Sequence, residues 1–171
     1  MLTITQFSSA QITAHIHELI DMLKLTVDNG ASIGWLAPLS ESDAQDYWLT
    51  VQSQVEDGNK ILLVAQQEDR VVGAVQIALE PRKNGNHRGE VQKLMVHMDY
   101  RRQGIARQLM EKLDTSAREA NRRLLVLDVR KSDPAETLYQ QMGYIHVGDI
   151  PEYARNNDLG FDATALYYKQ L

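Results

Sequence analysis

Two apolar runs lying nearly end to end, Lys60–Gln66 (KILLVAQ) and Arg70–Leu79 (RVVGAVQIAL), constrain this chain more than any other feature. Both have strand-type composition, and the short polar Gln67-Glu68-Asp69 between them reads as a hairpin turn. A hairpin in the middle of the chain argues against an all-parallel, doubly wound sheet. The elements before it follow two different periods. Leu2–Phe7 alternates with period two, as a half-buried strand does. Ile12, Ile16, Leu19, Ile20, Leu23 and Leu25 follow at helical spacing, between a cap at Ser8 or Ser9 and a stop at Asn29-Gly30. A second helix carries Tyr47, Trp48, Val51 and Val55, starting after Ser40 or Ser42 and ending at Asp57-Gly58.

Beyond the polar loop Pro81–Arg88, Glu90–His97 (EVQKLMVH) reads as a third strand of the central region. Ile105, Leu109, Met110, Leu113 and Ala117 mark a helix. Arg123–Val129 (RLLVLDV) is a nearly continuous apolar run, as expected of a strand covered on both faces. Pro134 opens another helix, capped by Ser132 or Asp133 and ending at Met142-Gly143. Strands at Tyr144–Gly148 and Ala163–Lys169 flank a long polar loop, 151–162. The order is strand, two helices, three strands, helix, strand, helix, two strands. It predicts an α/β fold with a mixed sheet and helices on its faces.

Composition narrows the function. A chain of 171 residues is one domain of ordinary size, spanning 1–171. Lys and Arg total 18 against 23 Asp and Glu, a net charge of −5, so a whole-surface basic footprint for nucleic acid is excluded while a local basic pocket is not. The absence of cysteine removes disulfides, thiolate metal sites and covalent catalysis by a thiol. His15, His17, His87, His97 and His146 show no metal-ligand spacing, so no metal is expected. The N-terminus has no basic, apolar leader, and no run approaches membrane-spanning length. A cytoplasmic protein independent of membranes is the expectation.

The most informative segment runs from Leu94 to Ala106 (LMVHMDYRRQGIA). A strand ends, a tight loop carries Arg101 and Arg102, and a helix begins around Gly104, Ile105 and Ala106. A helix start exposes unpaired N–H groups and the positive end of its dipole, which together attract anions. Small residues at 104 and 106 let a phosphate approach the backbone. The segment lacks the lysine and spacing of a Walker loop, and no GxGxxG occurs, so nucleoside triphosphate and Rossmann readings weaken.

Leu94-x-Val96 followed by Arg101-x-x-Gly104-x-Ala106 resembles the acyl-CoA signature (Q/R)xxGx(G/A) of the GNAT N-acyltransferase superfamily. Leu138-Tyr139 and Gly143-Tyr144 resemble that family's tyrosine-bearing helix and the "GF" or "GY" that follows it. Met98 departs from the proline found there in many members, which loosens the turn but leaves the anion cradle. The resemblance implies a mostly antiparallel central sheet of six to seven strands with about four helices. It also implies direct transfer from acetyl-CoA to an amine, with which the lack of cysteine agrees. Within the superfamily the chain is most similar to tabtoxin-resistance-type antibiotic acetyltransferases, through Gly30–Gly34, Glu90–Val96, Leu127-Asp128 and Thr164–Tyr168.

The resemblance also distributes roles. Arg101, Arg102, Gln103, Gly104, Ile105 and Ala106 would hold the pyrophosphate. Leu94, Met95 and Val96 would run beside the pantetheine arm, with the backbone of Met95 and Val96 polarising the acetyl carbonyl. Tyr139 would lie beside the CoA sulfur and protonate it, unless it is simply core packing. Asp128, at the end of an apolar strand, is either a general base or ammonium binder, or an ion-pair partner of Arg123, Arg130 or Lys131. Glu90 is the second base candidate, and strand alternation puts Glu90, Gln92 and Leu94 on one face; the alternative is an exposed charge at a strand start. Trp35 in the Gly30–Leu36 connection, and Tyr153 and Phe161 in the polar loop, are candidate walls of the acceptor site. The reading is an N-acetyltransferase for a small-molecule amine, with an antibiotic or toxin as one possibility. Protein acetylation on lysine or the α-amino group stands beside it, as does a non-catalytic acyl-CoA sensor. The oligomeric state is left open, a homodimer included.

Overall fold

The computed structural model describes residues 1–171. In chain order the elements are β1 (Leu2–Gln6), α1 (Ser9–Ala14), α2 (Ile16–Asp28), α3 (Glu41–Glu56), β2 (Lys60–Gln67), β3 (Arg70–Leu79), β4 (Arg88–Val96), α4 (Ile105–Glu119), β5 (Leu124–Arg130), α5 (Ala135–Gln141), β6 (Ile145–Arg155) and β7 (Phe161–Gln170), with a 3₁₀ turn at Met98–Tyr100. They build one seven-stranded sheet in the order β1-β2-β3-β4-β5-β7-β6. Every neighbouring pair is antiparallel except β4–β5. No helix is long and apolar enough to cross a membrane.

The sheet is apolar on both sides. Leu63, Val75 and Ile77 face Leu109 and Leu113 of α4, while Leu62 and Val64 face Leu19, Leu23 and Trp48 on the α1–α3 side. Burial on both faces explains why the two runs of the hairpin lack alternation. Glu68 and Asp69 close that hairpin with φ of +52° and +61°, the left-handed pair that matches strand twist. The first expected helix is two: His15, at φ −111°, interrupts it, hydrogen-bonds Glu18 at 2.9 Å and lies 5.3 Å from the ring of Phe7. Five helices therefore stand where about four were expected.

Three further expectations change. β5 buries Leu125 and Leu127 but leaves its other face half-buried, so its apolar run is not covered on both sides. β6 continues to Arg155, so most of the expected polar loop is strand and only residues 156–160 turn. It was hidden because β6 is an edge strand, exposed on both faces, and shows no apolar alternation.

The third change shapes the molecule. Gln92 pairs with Gln76, but Met95 pairs with Ala74, so β4 carries one extra residue, and Lys93 there has φ +53°. This bulge reverses the alternation. Val91 points to the α4 core and Met95 to the α1–α3 core, although an even spacing normally shares a face. Leu94 accordingly packs toward α4 and does not share a face with Glu90 and Gln92. β4 pairs with β5 only through Arg88–Glu90, and beyond that point the two parallel strands separate.

Trp48 is fully buried and donates its indole N–H to the Leu19 carbonyl at 2.9 Å, locking α3 onto α2. Trp48→Ala is expected to lower stability by about 3–5 kcal/mol, read as a lower urea midpoint at unchanged slope.

Candidate active site

The gap between β4 and β5 opens into a cleft of about 1010 Å³. One end is the turn before α4. Gly104 caps that helix at φ +77° with no side-chain cap, leaving the first N–H groups unpaired by any side chain. A Cβ at Gly104 would meet only the Gln108 amide at 3.9 Å, so glycine is required there by backbone conformation and not by crowding. Arg102 is also left-handed, at φ +61°, and Arg101 donates from Nε to the Val96 carbonyl at 3.2 Å. Arg101, Arg102, Gly104, Ile105 and Ala106 line the cleft; Gln103 does not, its amide turning back to the Asp99 carbonyl at 3.4 Å. From here the edge of β4, residues 91–96, runs along the cleft with no strand on that side.

Glu90, Asp128 and Tyr139 all reach the same cleft. Tyr139 is 6% exposed and belongs to the α4-side core, so it is both packing and lining, with Leu138 packed at the edge of that core. Burial pushes its phenol above the ordinary range, and Asp133 and Asp128 reinforce the shift. Asp128 is exposed to the cleft and shares the single proton of the Thr164 hydroxyl, at 3.3 Å, with the Val129 carbonyl at 3.0 Å. The ion pair considered for it does not form. Arg130 is taken by Asp133 and Asp162, and Lys131 by Asp149. Tyr153 lines the cleft from β6, half exposed, whereas Phe161 lies outside it, stacked against Arg155. Trp35 is not on the cleft surface: it backs it, edge-on to Tyr47 at 4.9 Å and beneath Lys93, whose ammonium lies 5.2 Å from the ring centre.

A polar chain missed from the sequence supports Glu90 from below. The Lys60 ammonium donates to the carbonyl oxygens of Gln76 and Gln92, both at 3.1 Å, and the Tyr47 hydroxyl also donates to Gln76 at 2.9 Å. An ammonium has no acceptor, so Gln92 must turn its oxygen to Lys60 and its N–H groups toward Glu90, which accepts at 3.0 Å. Gln76 is fully buried and its Nε2 has no partner. Gln76 is a polar residue inside an otherwise apolar run and Lys60 stands at the head of another, and the interruption at Gln76 was the available signal. Burial, with Lys93 nearby, lowers the Lys60 ammonium to about 8. Lys93 is lowered too, mainly by burial, against the pull of Asp128 and Glu90.

The model for the acetyltransferase (GNAT) domain matches residues 42–157, which include the bulge, the anion cradle and Tyr139. The chain belongs to the GNAT acetyltransferase family. It is 30% identical over 122 residues to an uncharacterized N-acetyltransferase from the hisH–hisA intergenic region of Azospirillum brasilense, covering 70% of this chain and 71% of the relative. Two solved structures share the fold. A ribosomal-protein-alanine N-acetyltransferase from Brucella melitensis aligns at TM-score 0.80 and 21% identity, over 99% of both chains. An acetyltransferase from Salmonella typhimurium, solved with acetyl-CoA, aligns at 0.79 and 17%, over 100% of this chain and 94% of the other. As a GNAT acetyltransferase the protein acts on an acyl-CoA and an acceptor. The cradle and open strand edge suit that donor: an uncapped helix start for its phosphates and unpaired backbone for its amide-bearing arm.

The lowered Lys60 also sets a stability trend. Between about pH 8 and its ordinary value of 10.5, the unfolded chain holds this proton while the folded chain releases it, so stability rises with pH across that window. Urea midpoints of the wild type minus those of Lys60→Met are expected to increase from pH 8 to 10 and to be flat below pH 7.

Proposed function

We propose that the protein transfers the acetyl group of acetyl-CoA directly to a primary amine of a small molecule. The observation that carries this reading is the continuity of the cleft. It joins an uncapped helix N-terminus with two arginines, the open edge of β4, a buried tyrosine, and two carboxylates without ion-pair partners. In this reading the backbone of Arg101, Arg102, Gly104, Ile105 and Ala106 holds the pyrophosphate, helped by the charge of Arg101 and Arg102. Leu94, Met95 and Val96 flank the arm, and the N–H groups of Met95 and Val96 polarise the acetyl carbonyl where negative charge develops.

An amine with a pKa near ~10 reaches the site protonated and must lose a proton before attack. Glu90, oriented by Gln92, accepts that proton, and Asp128, steadied by Thr164, holds the ammonium until then. Tyr139 keeps its proton at any working pH because its phenol is pushed upward. A full transfer from it to a thiolate of pKa about 8.5 runs uphill, so its contribution is a hydrogen bond donated to the departing sulfur. Tyr153 forms part of the acceptor wall, and Trp35 stiffens that wall from behind.

The narrower similarity to tabtoxin-resistance-type enzymes favours an antibiotic or toxin as acceptor. The Brucella melitensis neighbour, named for a ribosomal protein's alanine, favours a second reading in which the acceptor is a protein amine. Thiol release over a panel of amines, aminoglycosides, dipeptides and longer peptides separates the two: activity confined to peptides rejects the small-molecule reading. Tyr139→Phe is expected to lower kcat about a hundredfold with little change in KM. Unchanged turnover ends its proposed role. Gly104→Glu strains a left-handed position and puts a carboxylate in the anion cradle, so calorimetry should find acetyl-CoA binding weakened about tenfold or more.

A further inference from the structure

The acceptor end of the cleft holds charges of both signs that are not joined in ion pairs. Glu90 and Asp128 form no ion pair, and neither do Lys93 and Lys60; the nearby Arg130, Lys131, Asp133, Asp149 and Asp162 are occupied with one another. Each of the four has neutral contact partners, and the two carboxylates act on Lys93 only across a gap. Glu90 accepts from Gln92, Asp128 from Thr164, and Lys60 donates to two amide oxygens, while Lys93 rests over the Trp35 ring.

We propose that the acceptor carries its own carboxylate beside the reacting amine, as an α-amino acid does, and that Lys93 is the residue that binds it. This rests on the acetyltransferase reading above and names the class of its substrate. A simple amine would answer Glu90 and Asp128 but add a third positive charge beside Lys93 and Lys60. A zwitterion answers both sets, with its ammonium at the carboxylates and its carboxylate at Lys93.

Position supports the choice of Lys93. It sits in the bulge of β4, lines the cleft between Glu90 and Met95, and its ammonium lies 3.3 Å from where a Cβ on Gly34 would stand. Gly34 therefore keeps the connection between α2 and α3 close to that ammonium without covering it. Lys60, buried two strands over from Lys93 with β3 between them, adds positive potential without reaching the cleft surface. Both ammoniums are held below their ordinary range, chiefly by burial, and a bound carboxylate would relieve that.

The test pairs each free L-α-amino acid with its own carboxamide, which keeps the amine and removes the negative charge. Thiol release is measured with acetyl-CoA, and binding is measured separately by calorimetry on protein saturated with CoA. For at least one pair the acid is expected to exceed the amide about tenfold or more in kcat/KM and in affinity, the weight of one charge-assisted hydrogen bond. Lys93→Met should bring the two within about threefold, and Lys93→Arg should restore the order. Both variants keep a Cβ at φ +53°, so neither alters the strain of the bulge. Amides that bind and react as well as acids overturn the inference, as does a preference that survives Lys93→Met. The absence of acid binding in calorimetry overturns it as well. No thiol release with any amine, while an acid still binds through Lys93, would instead defeat the transferase reading and leave the carboxylate site standing.

Discussion

The single residue added to β4 is what the rest of this molecule depends on. A left-handed lysine costs about 1–2 kcal/mol in backbone energy, and burying a methionine side chain returns about 1.5–3 kcal/mol. Met95, carried by the bulge into the core beside Trp48 and Leu23, is therefore enough to hold Lys93 in that conformation. The insertion follows directly on the point where β4 leaves β5, after Glu90. The two halves of the sheet are joined at the bottom and open at the top, and the bulge lines the opening.

Charge is then distributed along the opening in a way that the net value of −5 conceals. Arginines and a helix dipole make one end positive, while the other end mixes lysines with carboxylates. The fixed orientation of Gln92 shows how little freedom the interior leaves: one donor-only ammonium sets the amide, and the amide sets the carboxylate. The orphaned Nε2 of Gln76 is the residual penalty of that arrangement, since turning the amide over would face two donors toward each other.

The features that the sequence displayed openly are local ones. The hairpin, the order of elements, the caps at Ser8 and Ser40, and the strand–turn–helix around Gly104 depend on residues within a few positions of one another. The bulge does not, because EVQKLMVH reads as uninterrupted strand and only pairing with Ala74 and Gln76 reveals the extra residue. Leu94 was assigned to the wrong face for that reason. Trp35 was expected on the wall of the cleft and instead lies one layer behind it, since the cation above it occupies the surface. Asp128 could not be separated from a surface ion pair until Arg130 and Lys131 were seen to be engaged elsewhere. The resemblance to GNAT enzymes supplied what spacing alone could not, namely the family and the mostly antiparallel sheet.

Arg130 gives the fold one more property. Its guanidinium donates from β5 to the Gly30 carbonyl at 2.9 Å, and Asn157, in the turn between β6 and β7, accepts the Ala37 N–H at 3.0 Å. The connection between α2 and α3 is thereby strapped to the opposite half of the sheet. The two halves share a short ladder at the closed end and two polar straps at the other, so the aperture is clamped from both sides. The clamp is made of side chains alone, with no backbone ladder in it, so what spans the aperture belongs to neither core.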